Sequence, residues 1–356
     1  MPLGRLELDL FGLEMDLVLE GGAAAGPEGL TVLEDLERDF RHFKRVPRAG
    51  PEELRPPSRV ELEIRAEDVD RTALPVLRSV GLTPRNYFFA DGRTLYADYF
   101  GKAFTIFRQD EQRLELYTTR PALAYEIAYL FVLSQFGLHL DRVGLRRVHG
   151  LGLSYRGHGI LLLLPSGGGK STHGFKLLQN PHVRILSEDS PVLDRKLRMH
   201  AFPTRIGIDP AEIGEKVAPE HVRTIDRMEF APKTVIDIAC FEDRIETGAV
   251  RLERIFIGRR FLGNHAAIRR AGRLRGFKAL LTKLVIGIGL YQGLEYLMHR
   301  GIRSALKLAP AFAGRLVLAL KLCARTRLHF FEMGGNVERN VQTLVAFLEA
   351  EYGGDA

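Results

Sequence analysis

Cysteine is nearly absent: the chain has two in 356 residues, Cys240 and Cys323. They lie far apart, and neither belongs to a C-x-x-C or Cys/His cluster, so no disulfide framework and no zinc site are expected. Long apolar runs are missing too. The stretch "LVIGIGLY" at 284–291 is too short to span a bilayer. The opening "MPLGRLELDL" carries Glu7 and Asp9 where a secretory leader needs an apolar run. The expectation is a cytoplasmic chain with no transmembrane segment. There is no internal repeat, no low-complexity tract and no clear nucleic-acid motif.

Acids are scarce in one region. Between Arg251 and Arg327, seventeen Lys or Arg stand against only Glu253 and Glu295, whereas the whole chain carries a net charge of just +7. Such a region suits an acidic peptide, a phosphorylated ligand, nucleic acid or an anionic membrane. Basic, apolar helices can lie peripherally on anionic lipid. Core helices with basic outer faces account for the same letters and are the preferred reading.

What is present is an ordinary globular composition, 46% hydrophobic and 27% charged, long enough for two or three domains. Residues 1–57 read as an irregular segment and linker containing one helix, "LTVLEDLERDFRHFKRV", with Leu33, Leu36, Phe40 and Phe43 on one face. Residues 58–142 read as an antiparallel β-rich domain. "RVELEI" alternates, Asp91-Gly92 marks a hairpin, and a helix follows between Pro121 and Gly137. Residues 143–356 alternate strands and helices. "GLGLSY" and "GILLLL" are strands joined by "RGHG", "STHGFKLLQN" starts a helix, and "VRILSEDSPVL" is a strand. "KTVIDIACF" and "RIFIGRRF" are further strands. A basic helical region spans 271–325, "RLHFFEM" is a last strand, and a helix at 336–352 is capped by Asn336, with Val341, Leu344, Val345 and Leu348 on one face. The fold class expected is α/β, with a mixed α+β sheet.

The chemistry concentrates at "LPSGGGKST", residues 164–172. In the phosphate-loop pattern G-x-x-x-x-G-K-[ST], Gly169, Lys170 and Ser171 fit the end, but Leu164 stands where the first glycine belongs. Leu164 reads instead as the last residue of a buried strand, with Pro165 making the turn. The loop Ser166, Gly167, Gly168, Gly169, Lys170, Ser171, Thr172 lets backbone N–H groups converge on a nucleotide's phosphates. Lys170 would reach the β- and γ-phosphates, and Ser171 would hold Mg2+. Glu188 and Asp189 end an apolar strand 18 and 19 residues after Lys170. A parallel neighbour of the first strand would bring them to the phosphates, one to hold the metal and the other to accept a proton from an attacking hydroxyl. His149 lies 21 residues before Lys170, at the start of the hairpin.

A hairpin opening on His-Gly, a glycine loop and an acidic pair, "VHGLGLSY", "PSGGGKST" and "RILSEDSPVL", together resemble the HPr kinase/phosphorylase superfamily, which is fold-related to phosphoenolpyruvate carboxykinase. The likeness covers residues 145–262. It implies a P-loop kinase core with ATP and Mg2+ at Lys170 and Ser171, Glu188 as proton acceptor, Asp189 on the metal and His149 in the site. Arg205 in "FPTRIGID" is the nearest match to the family's substrate-contacting arginine. The resemblance implies a homo-oligomer as well. Glu188 stands where the family has Asp, and Thr172 stands where bifunctional members have Glu. The closer likeness is to HPr-kinase-related proteins. The function expected is an ATP-dependent kinase acting on a hydroxyl, most plausibly a serine of a peptide or protein. The alternatives are a nucleotide-binding regulatory or scaffold protein, a small-molecule kinase, and a phosphate-dependent dephosphorylating enzyme.

Overall fold

The computed structural model describes residues 2–20, 27–45, 58–165, 167–214, 217–228, 231–287 and 301–353. The chain is a mixture of helices and several mixed sheets, an α+β architecture. It divides into two units. The first holds Met1–His139 with Thr224–Lys233 and Gln292–Lys307, and the second holds Leu140–Arg223, Thr234–Tyr291 and Leu308–Ala356.

In the first unit the opening residues are not irregular. Strands β1 (Pro2–Leu10) and β2 (Leu13–Glu20) form an antiparallel hairpin, and helix α1 (Pro27–Phe40) follows. Leu6, Leu8 and Leu10 face the core, as do Leu13, Met15, Leu17 and Leu19. Glu7 and Asp9, the acids that argue against a leader, lie on the other side of the same period-2 alternation. Phe11 and Gly12 both take positive φ, 57° and 86°, which gives the two-residue turn the twist a hairpin needs. Helix α1 buries Leu33, Leu36 and Phe40, as its spacing predicts. The linker expected near 46–57 lies outside the described residues.

Strands β3 (Ser58–Arg65), β4 (Gly81–Leu82), β5 (Tyr87–Asp91), β6 (Thr94–Asp98), β7 (Phe104–Arg108) and β8 (Arg113–Tyr117) complete the sheet, in the order β1-β2-β3-β8-β7-β6-β5-β4. From β4 to β8 it is the expected meander, but β3 pairs parallel with both β2 and β8. Helix α2 (Pro121–Val143) starts at Pro121 and runs through Gly137 to Val143. Gly137 is buried, so packing outweighs its poor helix propensity. The residue that follows the helix with left-handed backbone is Gly144, at φ 84°. By length and composition α2 is apolar enough to cross a membrane, and 78% of its most apolar window is buried inside the chain.

The second unit is built on β9 (Arg146–Arg147), β10 (Leu151–Tyr155), β11 (His158–Leu163), β12 (Val183–Ser187), β13 (Val192–Leu193) and β14 (Arg198–His200). After the short strands β15 (Ile206–Gly207), β16 (Val222–Ile225) and β17 (Lys233–Ile236) come the long β18 (Val250–Arg260), β19 (Ala266–Arg270) and β20 (Arg327–Met333). Its helices are α3 (Lys170–Leu177), α4 (Arg273–Leu280), α5 (Gly301–Arg325) and α6 (Val337–Tyr352). In its described part the basic region 271–325 holds α4 and α5, with a π-helical turn, Leu281–Ile286, directly after α4. Asn336 caps α6 by accepting from the Arg339 N–H at 2.9 Å.

Strand β11 explains the layering. Ile160, Leu162 and Leu164 join a core with Phe175 of α3 and Leu344 of α6. Leu161 and Leu163 join another with Leu280 of α4 and Leu322 of α5. A strand with helices over both faces must be apolar at every position, and "ILLLL" is. The outer face of α5 departs from the basic face expected. Phe312, Leu316, Val317 and Leu320 are exposed along it.

Candidate functional site

Strands β11, β18 and β20 run parallel, so their C-terminal ends share one edge of the sheet. At that edge β11 passes through Leu164 and Pro165 into the glycine loop, and α3 begins at Lys170. Ligand sites of α/β sheets form at such edges. The expected parallel neighbour of β11 is β18, not the strand bearing the acidic pair. β12 pairs antiparallel with β10, which pairs antiparallel with β11. Two reversals leave β12 pointing the same way as β11 one strand further out, so its carboxylates still arrive at the same edge.

Leu164 is buried, at 2% exposure. A Cβ on Gly258 of β18 would come within 2.6 Å of Leu164 Cδ2. The glycine missing from the loop is thus matched by one on the adjacent strand, which makes room for the leucine. Restoring the motif by Leu164→Gly is expected to lower stability by about 2–5 kcal/mol, the cost of emptying a packed leucine site. Urea unfolding of the variant against the parent chain measures it.

Each loop glycine answers a separate demand. Gly167 and Gly169 hold positive φ, 67° and 75°, which a side chain disfavours. Gly168 donates its N–H to the Pro165 carbonyl at 2.9 Å, and a Cβ there would lie 2.8 Å from the same oxygen. No side chain caps α3. Its first N–H groups are therefore left to a ligand or to solvent. Ser166 lies outside the described residues. Thr172 is half-buried in the first turn of α3.

His173 was not legible as a site residue. It is fully buried, and its Nδ1 lies 2.7 Å from the Gly169 carbonyl. Burial holds its pKa below the usual histidine range, with the Gly169 bond opposing. A neutral ring that donates from Nδ1 fits this contact. The ring thereby fixes the carbonyl of the last loop residue.

The chemistry-bearing side chains meet in two pairs. Lys170 Nζ forms an ion pair with Asp189 Oδ1, and Ser171 Oγ donates to Glu188 Oε1. His149 sits between the first two. Its Nε2 is 3.4 Å from Lys170 Nζ, and its Nδ1 is 3.3 Å from Asp189 Oδ1. Backbone contacts set this up: Val148 N–H donates to Pro191 O at 3.1 Å and Gly150 N–H to Asp189 O at 3.2 Å. The His-Gly segment is thereby stitched to the acidic turn, whose Ser190 N–H donates to Ser187 Oγ at 3.0 Å. Spacing alone does not place His149 at the site; these contacts do.

Burial raises the Asp189 pKa, but the charge of Lys170 and the contact with His149 outweigh it and hold the carboxyl well below its ordinary value. Asp189 is therefore anionic at neutral pH. Glu188 is buried. No family model matches the chain, and no curated protein matches it either. Arg205 is half-buried just before β15.

Among the described residues, no three His, Cys, Asp or Glu side chains cluster as a metal site. A magnesium ion carried by a nucleotide needs no such cluster. It takes most of its oxygens from phosphate and water and one or two from protein. Ser171 with an adjacent carboxylate fits that requirement.

Proposed function

We propose that this chain is an ATP-dependent kinase that transfers the γ-phosphate to a hydroxyl, that of a peptide or protein serine, on a P-loop core of HPr-kinase type. One observation carries the reading. The cation, the hydroxyl and both carboxylates that phosphoryl transfer uses converge where a buried strand enters a glycine loop and a helix. Loop N–H groups and Lys170 would receive the phosphates, and Ser171 would hold Mg2+, which neutralises phosphate charge when bound. The contacts favour the reverse of the carboxylate roles that the family resemblance implies. Glu188 already bonds the metal-side Ser171, which suits it to that side. Asp189, next to His149, is then left to accept the proton of the attacking hydroxyl. The basic stretch from Arg251 to Arg327 suits an acidic acceptor.

The test is transfer itself. With γ-labelled ATP, Mg2+ and a panel of serine peptides that includes acidic ones, label is expected on a serine hydroxyl. ATP binding with no transfer to any acceptor would sink the kinase and leave a nucleotide-binding regulator.

A further inference from the structure

A second lysine lies on an element that docks onto this site and that the glycine-loop motif does not include. After α4 the chain widens into one π-helical turn, Leu281–Ile286, which ends at Gly287 with left-handed backbone, φ 71°. Such turns are rare and are often found at functional sites. The carbonyl of Lys283, in this turn, accepts the His149 N–H at 3.0 Å, which docks the turn onto the site. Leu284 and Val285, the two residues after Lys283, are buried, so the turn is anchored in the core.

The side chain of Lys283 is half-buried, and the charges of Lys170 and Asp189 act on it. Burial and the Lys170 charge hold its pKa below the usual lysine range, and Asp189 only partly opposes them. Asp189 is already engaged by Lys170. Among the described residues no carboxylate lies at ion-pair distance from Lys283. A partly desolvated cation in the field of a second cation, with the opposing carboxylate already taken, is costly unless another anion joins them. A polyphosphate at the glycine loop is such an anion: it brings several negative charges to the place where Lys170 reaches.

We propose that Lys283 is the second cationic contact of the polyphosphate site, binding the terminal phosphate of a nucleoside triphosphate or of inorganic tripolyphosphate together with Lys170. The inference rests on the nucleotide-site reading above. It places one phosphate contact in the basic region at 251–327, outside the strand–loop–helix core. An arginine should serve in part, since it keeps the charge while changing its shape.

The experiment is titration calorimetry with ATP and with tripolyphosphate on the full chain. Lys283→Gln is expected to weaken both by about tenfold or more, Lys283→Arg to recover much of the loss, and Lys321→Gln, a neutral control on the exposed face of α5, to bind like the parent. A second readout does not depend on the variant's folding. After reductive 13C-methylation of the parent chain, the dimethyl-Lys283 resonance, assigned by its loss in Lys283→Arg, should shift on adding tripolyphosphate. Unchanged affinity in Lys283→Gln, or a resonance that does not move, overturns the role of Lys283 while parent binding that depends on Lys170 keeps the nucleotide site. If the parent chain binds neither probe, both readings fall.

Discussion

Replacing Lys170 by Ala is expected to cut phosphate transfer by roughly 10²–10³-fold or more, because a preorganised charge aimed at the transferring group is lost. The variant should keep its circular dichroism spectrum. Lys170 lies in the first turn of α3, whose packing side chains are Phe175 and Leu177, not the lysine. The loss has a second consequence. Without Lys170, burial acts on Asp189 against a weaker opposing field, so its carboxyl moves back toward ordinary values. Full transfer activity in a folded Lys170→Ala variant would remove the basis of the kinase assignment.

The two carboxylates should fail differently. Asp189→Asn is expected to lower turnover by about 10²–10⁴-fold, the usual share of general base catalysis. Glu188→Gln is expected to raise the Mg2+ concentration needed for half-maximal activity and to lose less at saturating metal. Turnover measured across a magnesium series for both variants separates these outcomes. If the two results come out exchanged, Glu188 is the base and Asp189 the metal-side residue, as the family resemblance implies.

Much of this site could be read from the letters. Glycines followed by Lys-Ser, an apolar strand before them and an acidic pair after the next strand are local patterns, and the backbone obeys them locally. The alternation in "RLELDL" is equally local, and it pairs β1 with β2 where an irregular segment is expected. The helix passes Gly137 for another reason: burial of its surroundings decides whether a helix continues there, and burial is not local. His173 and Lys283 belong to that second kind. A buried histidine under a loop carbonyl and a lysine delivered by a turn more than a hundred residues downstream have no signature spacing. Only packing brings the histidine under the loop and the turn that bears the lysine against His149.

On the proposed reading, the pairs Lys170–Asp189 and Ser171–Glu188 would also make the protein its own rival for the ligand. A polyphosphate would claim Lys170, and a metal would claim Ser171, from partners the chain already supplies. Measured affinity is then the intrinsic affinity scaled by the share of molecules in which the two pairs stand open. Nucleotide would open one pair and magnesium the other, and the opposite charges of the two ligands would couple them. They should therefore bind cooperatively, each appearing tighter in the presence of the other, with no shift of any strand or helix required.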